Sequence, residues 1–358
     1  MVELAVRRGQ RVAAGRLVRP AALLASLIAL LAAALLLGVG VGAVRIWPGD
    51  TVAIVLDHLG LGTGARVDPQ DDAILWIIRL PRVLLGALVG GALAVAGATL
   101  QGVFRNPLAD PGLIGVASGA SLGAVAAIVF GLTAVVPAGL QLSAFAGGVV
   151  ASLAVYALAR YEGRTETVTL ILTGVAVTAI VSAAIGLLIA RADDAQLRDI
   201  VFWSMGSLGG ATWPVVGATA PCVAIGLLVA CARARELDLM TLGEREAAHL
   251  GVNTEQARLI LVLALALATG AAVAAAGVIA FVGLVVPHLV RLAAGPAHAI
   301  VLPGSALGGA ALVVLADVVA RTAAAPVELP LGVITSLAGG PFFLWLLWRT
   351  RRAHGGWG

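Results

Sequence analysis

Residues 233–258 read RARELDLMTLGEREAAHLGVNTEQAR, a polar island with long apolar runs on both sides. Two short helical patterns lie inside it, over residues 236–242 and 244–250, and Gly243 and Gly251 follow them as C-cap candidates. Charges fall on one face; Leu237, Leu239, Met240, Leu242, Ala247 and Leu250 fall on the other. A membrane chain that needed only a turn would use about five residues here. A structured, mixed-charge, amphipathic loop of this length reads as a docking site for a soluble partner. The plainer reading is a solvated surface loop.

Outward from the island the chain is built for lipid. Of its 358 residues 60% are hydrophobic and 12% charged, with mean hydropathy +1.04, whereas soluble domains carry about 25% charged residues. Repeated apolar stretches of about 20 residues make it a polytopic all-α membrane protein. The runs are continuous rather than alternating, which excludes a β-barrel. The 45 glycines suit close helix packing in lipid. Every basic residue is arginine. A lysine-dependent phosphate loop or Schiff base is therefore impossible in this chain, and any nucleotide must be bound by another polypeptide. Cys222 and Cys231 stand nine residues apart in one predicted helix. That spacing is about 13 Å along the axis, on opposite faces, too far to bridge.

The apolar runs predict about ten transmembrane helices, over residues 20–44, 83–103, 112–135, 143–159, 168–190, 214–232, 259–276, 278–292, 304–320 and 331–348. Residues 1–19 form a basic N-terminus, 20–348 the membrane domain and 349–358 a tail. Residues 45–81 read as a polar connection, 197–205 as an amphipathic piece and 295–303 as a loop. Two prolines within residues 105–111 forbid a continuous helix there. With both termini on one side, Arg105, Arg160, Arg164, Arg233, Arg235, Arg245, Arg258, Arg291 and the terminal arginines fall inside. Only Arg45, Arg66, Arg79, Arg82, Arg191, Arg198 and Arg321 fall outside. The positive-inside rule then puts the island and both termini in the cytoplasm. Helices two to five start outside and helices seven to ten inside, which suggests a 4+4 inverted repeat. GGALAVAGATLQG (residues 90–102) faintly echoes GAAVAAAGVIAFVG (residues 270–283).

Several segments, in order, carry a family resemblance. They are Arg79-Leu80-Pro81-Arg82; Gln101 with Arg105-Asn106-Pro107-Leu108-Ala109 and Pro111; Leu242-Gly243 with Ala247 and Leu250-Gly251; and Phe281 through His288 with Arg291. The set continues with Leu302-Pro303-Gly304, Ala316-Asp317 with Arg321, Glu328 through Gly332, and Gly340-Pro341. Together, over residues 79–348, they resemble the FecCD family, the permease subunits of ABC importers for iron-siderophores, haem and vitamin B12.

That resemblance implies a vitamin B12-importer-like fold in the inner membrane. A second permease, identical or paralogous, would stand alongside, with the translocation path at the interface. Two cytoplasmic ATPase subunits would bind ATP and Mg, this chain holding no cofactor and no metal. An extracytoplasmic binding protein would deliver the substrate. By the same resemblance Leu239, Leu242, Gly243, Glu244, Ala247, Leu250 and Gly251 form the ATPase-coupling surface. Asn106, Pro107, Leu108, Thr167 and Val168 line a cytoplasmic gate. Arg79, Arg82 and Arg321 form sockets for acidic residues of the binding protein. One departure stands out. The family's acidic-His-Arg triplet after the helix-eight glycine is here Gly295-Pro296-Ala297-His298-Ala299, without the acid or the arginine. No local ion pairing is expected in that loop.

Each site has a plainer reading. An arginine fork suits a carboxylate from a partner, but Arg321 has its own acid, Asp317, one turn earlier. That pairing reads Asp317, the acid deepest in a helix, as structural rather than proton-coupling. The Asn-Pro-Leu turn could be an ordinary prolyl turn, and Thr167-Val168 an ordinary helix start. His288 and Arg291 read as a helix-terminal pair, and the histidines show no metal-ligand spacing. The Gly/Ala lattice of helices three, four and nine reads as packing. Nothing in the pattern favours nucleic acid or bond chemistry. The sequence thus reads as the permease of an importer for an iron-siderophore complex, working by ATP-driven alternating access. Haem and vitamin B12 are the alternative cargoes. A gradient-driven transporter would need buried ionisable clusters and would leave the island unexplained.

Overall fold

A computed structural model describes residues 18–42, 44, 46–62, 67–161 and 164–353. Most of the basic N-terminus and the last five residues lie outside that set. Among the described residues, seven helices are long and apolar enough to cross a membrane, and three shorter apolar helices complete a set of ten. They are α1 (Pro20–Gly40), α2 (Pro69–Val103), α3 (Val116–Val129), α4 (Gly139–Ala159) and α5 (Thr167–Ile189). After them come α6 (Trp213–Ala232), α7 (Thr254–Ala276), α8 (Val282–Ala294), α9 (His298–Thr322) and α10 (Leu331–Ala353). Proline opens the first turn of α1, α2 and α6, where its missing N–H costs nothing.

The helix ends sort into two sets. At one end, the close of α1 meets Arg79 of α2 and Arg321 of α9 through the carbonyls of Val39 and Gly38. The Trp213 indole at the start of α6 donates to the Trp76 carbonyl there, at 2.9 Å. At the other end, the close of α2 packs by Gly102 against Leu237 of the island and His298 of α9. We call these the far end and the island end. α2 runs from far to island, and α7, which follows the island, runs the opposite way. An inverted repeat requires this. The packing shows the same exchange: α2 lies along α9, and α7 lies along α4. The backbone also breaks ahead of the second helix in each unit, at Arg105 and Gly115 before α3 and at Gly277 and Phe281 before α8, all with positive φ.

Small residues set the helix spacing. A Cβ on Gly90 would run into the Gly309 carbonyl of α9, and one on Gly97 into Gly283 of α8. Gly119 of α3 and Gly147 of α4 face each other in the same way.

The structure moves several boundaries. Residues 45–81 contain a helix, Pro48–His58, and the first turns of α2, which pass through a π-helical stretch, Ile74–Arg79. α3 stops at Val129 because Gly131 turns left-handed. α8 starts at Val282 rather than at 278, because Gly277 and Phe281 hold positive φ. Residues 298–303, expected in a loop, open α9; Pro303 forfeits a single hydrogen bond within a helix otherwise held by packing. A two-residue antiparallel pair, Arg160–Tyr161 with Arg164–Thr165, closes the α4–α5 connection. The amphipathic piece is the helix Asp194–Ser204, with a complete capping box from Asp193 and Gln196.

Candidate functional sites at the two ends of the bundle

At the far end the three arginines turn inward. Arg79 is only 4% exposed and donates to the carbonyls of Val39 (2.8 Å), Gly40 (3.3 Å) and Val44. Arg82 grips two carboxylates at once. Its Nε and Nη2 donate to Asp317 at 3.0 and 2.9 Å, and its Nη1 and Nη2 donate to Glu328, both at 2.9 Å. Arg321 sits 3.5 Å from Asp317 and donates to the Gly38 carbonyl. The cause is Asp317, itself 2% exposed. A buried carboxylate demands a charged fork, and Arg82 supplies it better than the expected i+4 neighbour. The forks therefore do not project as free sockets. Glu328 is the half-exposed member, and its carboxyl is held below the usual range, first by the hydrogen bonds from Arg82.

At the island end Gln101 anchors the break after α2. Its amide donates to the Gly283 carbonyl at 3.1 Å, and Arg291 donates to its side-chain oxygen and to the Ala98 carbonyl. Arg291 thus ties α8 to α2 rather than pairing with His288. Asn106 folds the following turn by accepting from the Leu108 N–H at 2.9 Å. Pro107 and Leu108 are exposed, Thr167 is half-buried at the first position of α5, and Val168 is exposed. The turn reaches α5 through Pro111–Ile114, where the Leu113 carbonyl abuts Gly174.

The island folds as two helices, Ala234–Leu242 and Glu244–His249, with Gly243 and Gly251 at positive φ behind them. Its apolar residues do not share one face. Leu237, Met240 and Ala247 are buried against the bundle, whereas Leu242 and Leu250 are 62% and 58% exposed and Leu239 is intermediate. The inner set anchors the island, and the outer set is open to a partner. The first helix is tied to α9. Asp238 accepts from the His298 backbone N–H (2.9 Å) and contacts its Nδ1 (2.6 Å). Where the loop lacks an acid of its own, an acid from the island holds His298. The second helix is tied to α7, where Arg258 donates to Glu244, to the Thr165 carbonyl and to Glu255. The sequence signal for these anchors was a helix-start acid and an arginine within one polar loop; their partners 60 or more residues away carried no signal. Among the described residues no group of three His, Cys, Asp or Glu converges as metal ligands, and both cysteines are free.

Ten helices in an inverted repeat, with a structured polar loop at one end, define a membrane permease of the transporter type. The chain belongs to the FecCD transport family, whose model matches residues 30–349. It is 47% identical over 292 residues to a hemin transport system permease protein of Yersinia pestis, covering 79% of this chain and 85% of the relative. It is 46% identical over 302 residues to a cobalamin import system permease protein of Halobacterium salinarum, covering 84% and 79%. A solved structure of a metal-chelate type ABC transporter in an inward-facing conformation matches with TM-score 0.80 and 31% identity, covering 91% of this chain and 98% of that one. This chain is accordingly a multi-pass ABC importer permease, and the ATPase is a separate chain.

Proposed function

We propose that the cargo is a chelated metal complex, and within that class a metal tetrapyrrole. The supporting observation is the similarity, at 47% and 46% identity, to permeases named for hemin and cobalamin. A siderophore cargo rests on family frequency alone. The island faces the cytoplasm, as do both termini. Each ATPase packs on Leu242 and Leu250, the apolar residues the bundle leaves uncovered. Nucleotide-driven movement of the island opens and closes the path beside Asn106, Pro107, Leu108, Thr167 and Val168, which a second permease completes. The binding protein docks at the far end. Arg82 offers its fork there only by exchanging Glu328, its exposed partner, for a carboxylate of the docking protein, while Arg79 and Arg321 hold the surrounding backbone.

The test is uptake into proteoliposomes holding the permease, its ATPases and its binding protein. Hemin, cyanocobalamin and a ferric siderophore are supplied in turn. ATP-dependent uptake of hemin or cobalamin is the expected result; uptake of the siderophore alone would overturn the tetrapyrrole assignment.

A further inference from the structure

Arg258 lies one turn into α7 and is the largest fully buried side chain among the described residues. A guanidinium buried this deeply needs partners that offset the loss of its hydration. Its Nη2 donates to Glu244, the first residue of the second island helix. Its Nη1 donates to the Thr165 carbonyl and, at 3.3 Å, to Glu255. Glu255 closes the same knot, accepting from the Thr165 N–H (3.1 Å), the Thr165 hydroxyl (2.7 Å) and the Tyr156 hydroxyl of α4 (2.6 Å).

Thr165 is the last residue of the strand pair and stands two residues before α5. One buried side chain therefore joins the island to the start of a gate helix. The knot is buried at Thr165 and Arg258, partly open at Glu255 and most open at Glu244, whose side chain is 43% exposed. A displacement of the island would enter at Glu244 and leave at Thr165. The path between them runs through one planar guanidinium, whose donors are fixed relative to one another. Arg258 Nε has no partner, so the fork is not saturated in this arrangement, and a shifted one could engage it.

We infer that Arg258 is a positioning residue for transport: it transmits movement of the second island helix to the α4–α5 strand pair and so to Thr167 and Val168. The inference rests on the reading that the ATPase docks on the island. It differs from the Asp238–His298 tie, which leads to α9 and not to the gate.

The experiment uses the full importer in proteoliposomes with Glu244→Ala, Glu244→Gln and Leu250→Asp. Leu250→Asp tests docking alone and is expected to release the ATPase; a retained ATPase would sink the docking reading. Glu244→Ala is expected to lower transport per ATP hydrolysed about tenfold, within the usual range for coupling between two sites. Glu244→Gln keeps the acceptor oxygen and is expected to restore most of the coupling. A spin label at Val168 supplies an independent readout: ATP moves it in the parent and leaves it still in Glu244→Ala. Normal transport per ATP in Glu244→Ala, or a label that still moves, would overturn the inference. So would loss of the ATPase from Glu244→Ala itself.

Discussion

The two ends of the bundle use charge in opposite ways. At the far end Arg82, Asp317, Glu328 and Arg321 link α2, α9 and the segment ahead of α10, while Arg79 and Arg321 also hold carbonyls at the end of α1. Every partner belongs to the membrane bundle or its immediate border. At the island end two charged contacts cross from the bundle to a surface element: Asp238 to His298, and Glu244 to Arg258. The first arrangement braces helices against one another. The second ties a surface element to particular helices. An importer driven from one side needs both: a stiff body to be turned, and a handle fastened to it.

The sharpest way to break this contrast is at the brace. Arg82→Met leaves Asp317 buried without its fork, and removing one member of a buried pair costs about 3–5 kcal/mol. A large fall in thermal midpoint in detergent is expected. If the midpoint moved no more than for an exposed arginine, the brace would not be structural. Next comes Gly97→Val, which drives a side chain into Gly283; overpacking of this kind costs about 1–3 kcal/mol and is expected to loosen α8 from α2, seen as faster proteolysis of the 277–281 break. Asp238→Ala removes an acid that serves the α9 N-terminus, a loss of about 0.5–2 kcal/mol by analogy with helix caps. Thermal stability should fall modestly while ATPase binding persists, which separates handle from brace.

Glu328→Gln has the smallest effect, about 0–1 kcal/mol for a pair so exposed, and is expected to tighten binding-protein association by freeing Arg82. The same pair gives a pH signature. Because the folded carboxyl titrates below its unfolded range near 4.3, its stabilisation is present above that range and lost as pH falls through the lowered value. The parent should therefore lose more stability on acidification than Glu328→Gln; identical acid profiles would remove the pair from the account.

Much of this was legible in the chain. The island's two helices were bounded by their glycines, because positive φ is a local demand that sequence displays. The inverted repeat followed from the alternation of apolar runs. What sequence could not display was partner choice over distance. Asp317 and Arg321 share a helix face and looked sufficient for each other, yet the better fork came from Arg82, 235 residues away. The island's apolar residues looked like one face because periodicity records which residues avoid water, not which of two neighbours covers them. His298 looked stranded in a loop because its acid sits in the island, 60 residues earlier.

The π-helical stretch in α2 also has a consequence for phase. Residues 74–79 hold more residues per turn than the α-helix on either side. One residue more or less turns an α-helix by about 100°. Trp76 reaches Trp213 and stacks on His58 with ring centroids 3.9 Å apart only at the present rotation. Deleting a single residue from this stretch would leave Arg82 and everything after it in place, and would swing the tryptophan to another side of the bundle. The widened turn sets the clocking of the far-end surface independently of the buried helix beneath it.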